Sequence, residues 1–161
     1  MTRTMGLTLA AALSAIAAGS ALRSVPPACK LLTTTEASKL LGFAAVMNPD
    51  DSARADFNCR FDRANAGPTS FDGLEITTRT FSDGPTAHAY FPRWVIPVPP
   101  APASMTLIPV AGVGDTATIV HSKIANSIFF QKAAVLVKMG THPGASDSAL
   151  KVAGKTMASR M

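Results

Sequence analysis

The apolar positions of this chain recur at two periods, and the switches between them lay out its elements. From Leu31 to Gly42 the spacing is helical, with Ala37, Leu40 and Leu41 on one face. Thr33 and Glu36 stand three residues apart before that face. This is the pattern of a capping box, in which each side chain satisfies an orphan amide of the first turn. Leu32 and Ala37 flank the box where a hydrophobic staple forms, and Gly42 suits the left-handed residue that closes a helix. The pattern predicts a helix over Thr34–Leu41, roughly two turns long. Nucleation is too costly for so short a helix to stand alone. It needs a tether, and Cys29 lies just upstream.

Period two takes over next. Phe43–Met47 reads as a short strand, and Asn48-Pro49-Asp50-Asp51-Ser52 as a turn. Asp56–Asp62 alternates most clearly, with Phe57, Cys59 and Phe61 on an apolar face and Asn58, Arg60 and Asp62 on a wet one. Ala64–Ser70 is a loop, and the β-branched run Leu74–Thr80 completes a hairpin. Ser82 or Asp83 then caps a second helix, with Pro85 in its first turn where a missing donor costs little. Ala87, Tyr90, Phe91 and Trp94 share one face of that helix, and Pro92 is expected to end it near Phe91. The prolines of Ile96–Ala103 make an extended, stiff surface connection.

The last third reads as an antiparallel meander. Strands are expected at Met105–Val110, Thr116–His121, Ile124–Gln131 and Ala133–Met139, with turns at Ala111–Asp115 and Gly140–Gly144. Ser146 or Asp147 caps a terminal helix that turns Ala149, Leu150, Ala153 and Met157 inward. Gly154 within it costs about 1 kcal/mol against alanine. The order α-β-β-β-α-β-β-β-β-α predicts an α+β fold, two or three helices packed on an antiparallel sheet.

Met1–Ala21 stands apart from this pattern. Arg3 makes a positive start, Gly6–Ala18 an apolar run, and Gly19-Ser20-Ala21 a small-residue cleavage site. The segment reads as a Sec-type signal peptide, followed by a short linker over 22–28 and one exported domain over 29–161, periplasmic or extracellular. The alternative, an uncleaved anchor, meets a span interrupted by Ser, Thr and Gly and barely as long as the ~20 apolar residues a bilayer needs. Export changes the meaning of the two cysteines. In an oxidising compartment Cys29 and Cys59 are an obvious disulfide pair. It would close a loop of about thirty residues, for which chain entropy gives roughly 3–4 kcal/mol.

Charge excludes more than it suggests. The formal charge of +5 falls to +4 with the loss of Arg3. The remaining Lys and Arg are scattered from Lys30 to Arg160 without a basic run or stacking aromatics, so nucleic acid is not an expected partner. Gly112-x-Gly114 precedes a β-branched strand where a phosphate loop would need a helix, and reads as a turn. His88, His121 and His142 lack metal-ligand spacing, and no G-x-S-x-G elbow occurs. Asp50-Asp51 and Glu75 have nothing that obliges them to meet across a cleft. No catalytic residue, metal or cofactor is therefore assigned. The one aromatic cluster with ligand-binding character is His88, Tyr90, Arg93 and Trp94, although Tyr90 and Phe91 better suit a simple plug of helix onto sheet.

The short motifs Cys29-x-Leu31-Leu32-Thr33-x-x-Glu36-Ala37, Leu41-Gly42, Cys59 and Gly112-x-Gly114-Asp115-x-Ala117, with a closing amphipathic helix, resemble a bacterial pattern. It is similar to small exported domains of unknown function, many of them lipoproteins, common in actinobacteria. The extracellular sensor domain of a mycobacterial serine/threonine kinase is a more distant relative of that type. The resemblance spans roughly Cys29 to Met161 and implies an exported α+β domain with this disulfide and a ligand-binding cleft. It carries over no catalytic residue. Pro26-Pro27-Ala28 before Cys29 is not a lipidation box, so the chain departs there from the lipoprotein members, and no stable membrane anchor is expected after signal cleavage.

Two function classes follow. The favoured one is a non-enzymatic binding or interaction module of the bacterial envelope, taking a small molecule, an envelope component or a protein. The alternative is an envelope hydrolase with a discontinuous histidine-containing site, which needs His88, His121 or His142 beside a hydroxyl or carboxylate in a cleft.

Overall fold

The computed structural model describes residues 26–48, 57–66, 72–96, 104–142 and 144–161. Residues 1–21, expected from the sequence to be a signal peptide, residues 22–25 of the expected linker, most of the 48–52 turn and the proline-rich stretch 97–103 lie outside them.

A 3-10 turn at Ala28–Lys30 leads into α1 (Thr34–Leu41), whose bounds match the periodicity. Thr33 and Glu36 form the expected capping box, and Gly42 closes the helix at φ 74°. Seven strands follow the predicted order: β1 (Ala45–Met47), β2 (Asn58–Arg63), β3 (Gly73–Thr80), β4 (Thr106–Pro109), β5 (Thr116–His121), β6 (Asn126–Lys132) and β7 (Val135–His142). Helix α2 (Gly84–Val95) lies between β3 and β4 in the chain, and α3 (Asp147–Ser159) closes it. All strand pairs are antiparallel in one sheet of order β1-β2-β3-β7-β6-β5-β4. The fold is α+β with one disulfide.

The helices cover both faces of the sheet. On one face Cys59, Phe61, Ile76, Ile128, Phe130 and Met139 pack with Ala37 of α1 and Leu150, Ala153 and Met157 of α3. On the other, Val120, Phe129 and Leu136 pack with Ala87, Phe91 and Val95 of α2. Strand β6 is therefore buried on both sides, Ile128 and Phe130 serving one core and Phe129 the other. Such strands lose the clean apolar-polar alternation of a half-solvated sheet.

Cys29 and Cys59 are bonded, with Cα atoms 5.0 Å apart. The bond pins the 3-10 turn to β2, and Leu31 and Leu32 are buried beside it. At the other end of the fold Arg160 returns to α1. Its guanidinium donates to both carboxylate oxygens of Glu36 at 2.7 and 2.8 Å and to the Leu31 carbonyl at 2.7 Å.

Four local expectations fail for identifiable reasons. Helix α2 runs through Pro92 to Val95, with the Ile96 amide donating to the Pro92 carbonyl at 2.9 Å. Pro92 is exposed, so the carbonyl four residues back loses its donor on the solvent side, while Phe91 and Val95 gain burial on the sheet side. Phe57 is 55 % exposed. It lies in the turn before β2, where the pleat that turns Cys59 and Phe61 inward does not yet govern it. Ile124, expected in a strand, is 77 % exposed in the β5–β6 turn. Finally, Gly140 is not in a turn but inside β7, laddered to Glu75 on one side and Ser127 on the other. Pairing on both edges overrides the turn preference of a lone glycine.

Candidate functional site

Helix α2 is held over β5, β6 and β7 by its first turn. Asp83 caps it, accepting the Thr86 amide at 2.7 Å. The Thr86 hydroxyl and amide, with Ser82, hold the Asp83 carboxyl below its ordinary range. The buried Gln131 side chain of β6 donates to the carbonyls of Gly84 and Ala133, and its oxygen meets His88 Nδ1 at 3.1 Å. One glutamine thus ties the helix start to the β6–β7 turn.

Beyond the far end of α2 the same sheet face is left partly uncovered, and a cavity of about 410 Å³ opens there. Trp94 and Val95 form its helix wall, Val120 and Phe129 line it from the sheet, and Met105 and Ile124 complete its apolar lining. The Trp94 ring stands edge-on to Phe129, centroids 6.2 Å apart. Polar groups converge on the floor: Glu75 of β3, Lys138 and His142 of β7, and Ser127 of β6.

Register explains why these four meet. Gly140 is paired directly with Glu75 and with Ser127, and those three lie in one row across the sheet. Lys138 and His142 sit two residues either side of Gly140, so they share its face. Gly140 contributes no side chain, and a Cβ there would stand 3.1 Å from Ser127 Oγ. A glycine inside a strand often marks a bulge, a tight bend or a close approach of ligand or backbone, and Gly140 keeps regular pairing on both sides. Here it leaves a gap ringed by two charges, a hydroxyl and an imidazole. Lys138 Nζ lies 5.9 Å from the centroid of the Phe129 ring.

Of the aromatic cluster predicted on α2, the structure brings Trp94 to this cavity. Tyr90 lies one turn earlier and braces α2 to the sheet instead: its hydroxyl accepts from Arg79 at 2.8 Å, and its ring centroid is 5.2 Å from that of Phe81. His88 is exposed and engaged with Gln131, and Arg93 is exposed on the outer side of the helix. His121 lies at the end of β5, Nδ1 2.8 Å from Asn126 Oδ1 and Nε2 2.8 Å from Asp147 Oδ1, so both ring nitrogens are taken. His142 is the histidine that reaches the cavity. The sequence pattern singles out none of Ser127, Phe129 and Lys138, and gives Glu75 no partner, because neighbourhood across strands depends on register. One sign was legible: Lys138, Gly140 and His142 alternate on one face once β7 is carried through the glycine.

A second hollow, about 450 Å³, lies between α1 and α3, with Leu32, Leu40, Ala149, Val152 and Ala153 among its walls. Its carboxylate, Glu36, is already bonded to Arg160. Ser148 shares a hydrogen bond with Ser146 and Thr156 donates to the Val152 carbonyl, which leaves Lys39 as the polar lining group to orient a ligand there. Ligand sites join apolar walls to a few placed polar groups, and cavities of roughly 300–1,000 Å³ serve small molecules. The cavity beside Trp94 meets both conditions. Among the described residues, no three His, Cys, Asp or Glu side chains converge as metal ligands would. No helix among them is long and apolar enough to cross a membrane. Comparison with known proteins finds no matching family model and no matching curated protein.

Proposed function

We propose that this chain is an exported, non-enzymatic binding module of the bacterial envelope that takes a small molecule into the cavity beside Trp94. The observation that carries this reading is the glycine gap at Gly140, ringed by Glu75, Ser127, Lys138 and His142 under an apolar wall. A side chain at that position would fill the gap. The disulfide and the N-terminal sequence pattern support export, and the resemblance to exported actinobacterial domains agrees with both.

Trp94 is the only tryptophan in the chain, so its emission reports on the cavity alone. The test is a thermal-shift screen of the oxidised protein against envelope fragments, sugars, lipids and small metabolites, followed by Trp94 fluorescence for each hit. A ligand at a hundred times its dissociation constant stabilises by about 2.7 kcal/mol, enough to move a melt visibly. A hit that also shifts Trp94 emission, and is lost in Gly140→Val, supports the reading. A hit that leaves Trp94 silent moves the site elsewhere. Export is tested separately by the mass of the secreted protein, expected to begin near Ala18–Leu22 without lipid.

The hydrolase alternative rests on His142, which shares the cavity with Ser127 and Ser122. Labelling of either serine by a fluorophosphonate, abolished in His142→Ala, would favour it over simple binding.

A further inference from the structure

The cavity's charges say more than that something binds. Glu75 and Lys138 line the same floor, diagonal to one another about Gly140. Cross-strand diagonal neighbours lie ~7–8 Å apart, within reach of long side chains. Yet no ion pair joins these two: the ion pairs made among the described residues are Arg60–Asp62, Arg63–Asp72, His121–Asp147 and Arg160–Glu36. Opposite charges that share a cavity floor without closing on each other leave room between them for a group of each sign.

Building on the binding reading above, we propose that the ligand is a small zwitterion with an apolar body, an α-amino acid or a short peptide presenting the same two end charges. Its ammonium sits against Glu75 and its carboxylate against Lys138, over the Gly140 gap. Its apolar side chain lies along Trp94, Val95 and Val120. Ser127 and His142 stand on the remaining two sides of the gap as hydrogen-bonding partners.

The arrangement selects by repulsion as well as attraction. A simple anion drawn to Lys138 faces the Glu75 carboxylate, and a simple cation drawn to Glu75 faces the Lys138 ammonium. Glu75 is exposed and Lys138 half-buried, and like charges brought together at such a pair lower affinity, a common source of specificity. A molecule with both charges meets a favourable partner at each end. A neutral apolar molecule fills the wall but leaves both floor charges unanswered.

The test is titration of Trp94 emission, with calorimetry in parallel, using L-leucine and leucyl-leucine against two analogues that each lack one charge. N-acetyl-leucine has no ammonium and leucinamide no carboxylate. Each loss removes a hydrogen bond to a charged group and should weaken binding roughly tenfold or more. In Glu75→Gln, leucine and N-acetyl-leucine should bind alike. In Lys138→Met, leucine and leucinamide should do so. Tighter binding of leucine assigns the free amino acid, and tighter binding of leucyl-leucine assigns the peptide. Equal affinity of all four compounds for the unmodified protein overturns the charge pairing. A neutral probe, n-hexanol, separates the two failures. If hexanol shifts Trp94 emission and no zwitterion does, the binding cavity stands and the ligand class falls. If neither does, the cavity reading falls with it.

Discussion

Arg160, the C-cap residue of α3, grips Glu36 with two N–H···O bonds of 2.7 and 2.8 Å, and Glu36 is the same carboxylate that caps α1. One acidic side chain therefore serves the start of α1 and the end of α3 together. The consequence is electrostatic. Bonding to Arg160, followed by the Thr33 amide and hydroxyl and the Arg160 charge and opposed by partial burial, lowers the Glu36 pKa from 4.5 to about 2.

A depressed carboxylate adds stability that is fully present above its unfolded pKa of 4.5 and disappears as pH falls toward about 2. The full linkage value of that displacement is about 3 kcal/mol. Solvent screening of a carboxylate that keeps 34 % of its side chain exposed reduces it to about 1–2 kcal/mol. Arg160→Met should cost the larger part of that amount at pH 7, because the Thr33 bonds to Glu36 remain, and urea denaturation should show the gap closing between pH 4.5 and 2. A gap that persists unchanged at pH 2 would assign the loss to the Leu31 carbonyl contact or to packing.

Reduction of Cys29–Cys59 frees a loop of sequence separation 30. Chain entropy alone puts the loss at roughly 3–4 kcal/mol, a large share of a domain's ~5–15 kcal/mol. The melting temperature should fall by many degrees in reductant, and an unchanged melt would show that the bond does not restrain the unfolded chain.

Gly154→Ala sets two rules against each other. Helix propensity alone favours alanine by about 1 kcal/mol. A Cβ at that position, however, would stand 2.8 Å from Ile128 Cδ1 and 2.9 Å from Val113 Cγ1, both in the core. Overpacking a dense core costs about 1–3 kcal/mol. The expected outcome is net destabilisation, read from denaturant midpoints. A stabilised variant would mean that α3 lifts away from β6 at little cost.

Pro92→Ala carries the opposite expectation. It restores an amide donor inside α2 at an exposed position, where proline costs up to about 3 kcal/mol. The variant should melt higher with Trp94 emission unchanged. A shift in Trp94 emission would show that the proline shapes the end of the helix and hence the cavity wall.

Much of the architecture was legible because it is written in short-range pattern. The Thr33–Glu36 box, the left-handed Gly42, the cap at Asp83 or Ser146 and the alternation of β5 depend on neighbours within a turn or a pleat. Two cysteines leave a single intrachain pairing. These local signals agree with one another, so the order of elements follows from them.

The tertiary structure decided what the local signals do not contain. Whether Pro92 ends a helix depends on what Phe91 and Val95 gain beneath it, and whether Gly140 turns or extends depends on Glu75 and Ser127 pairing with it from distant strands. Apart from Trp94, already singled out by the aromatic pattern of its helix, the candidate site belongs to this second kind. Periodicity tells each residue which face of its own element it shares. Only the register of β3, β7 and β6 tells Glu75, Lys138 and Ser127 that they surround the same empty position, and register is set by long-range burial and pairing summed over the whole sheet.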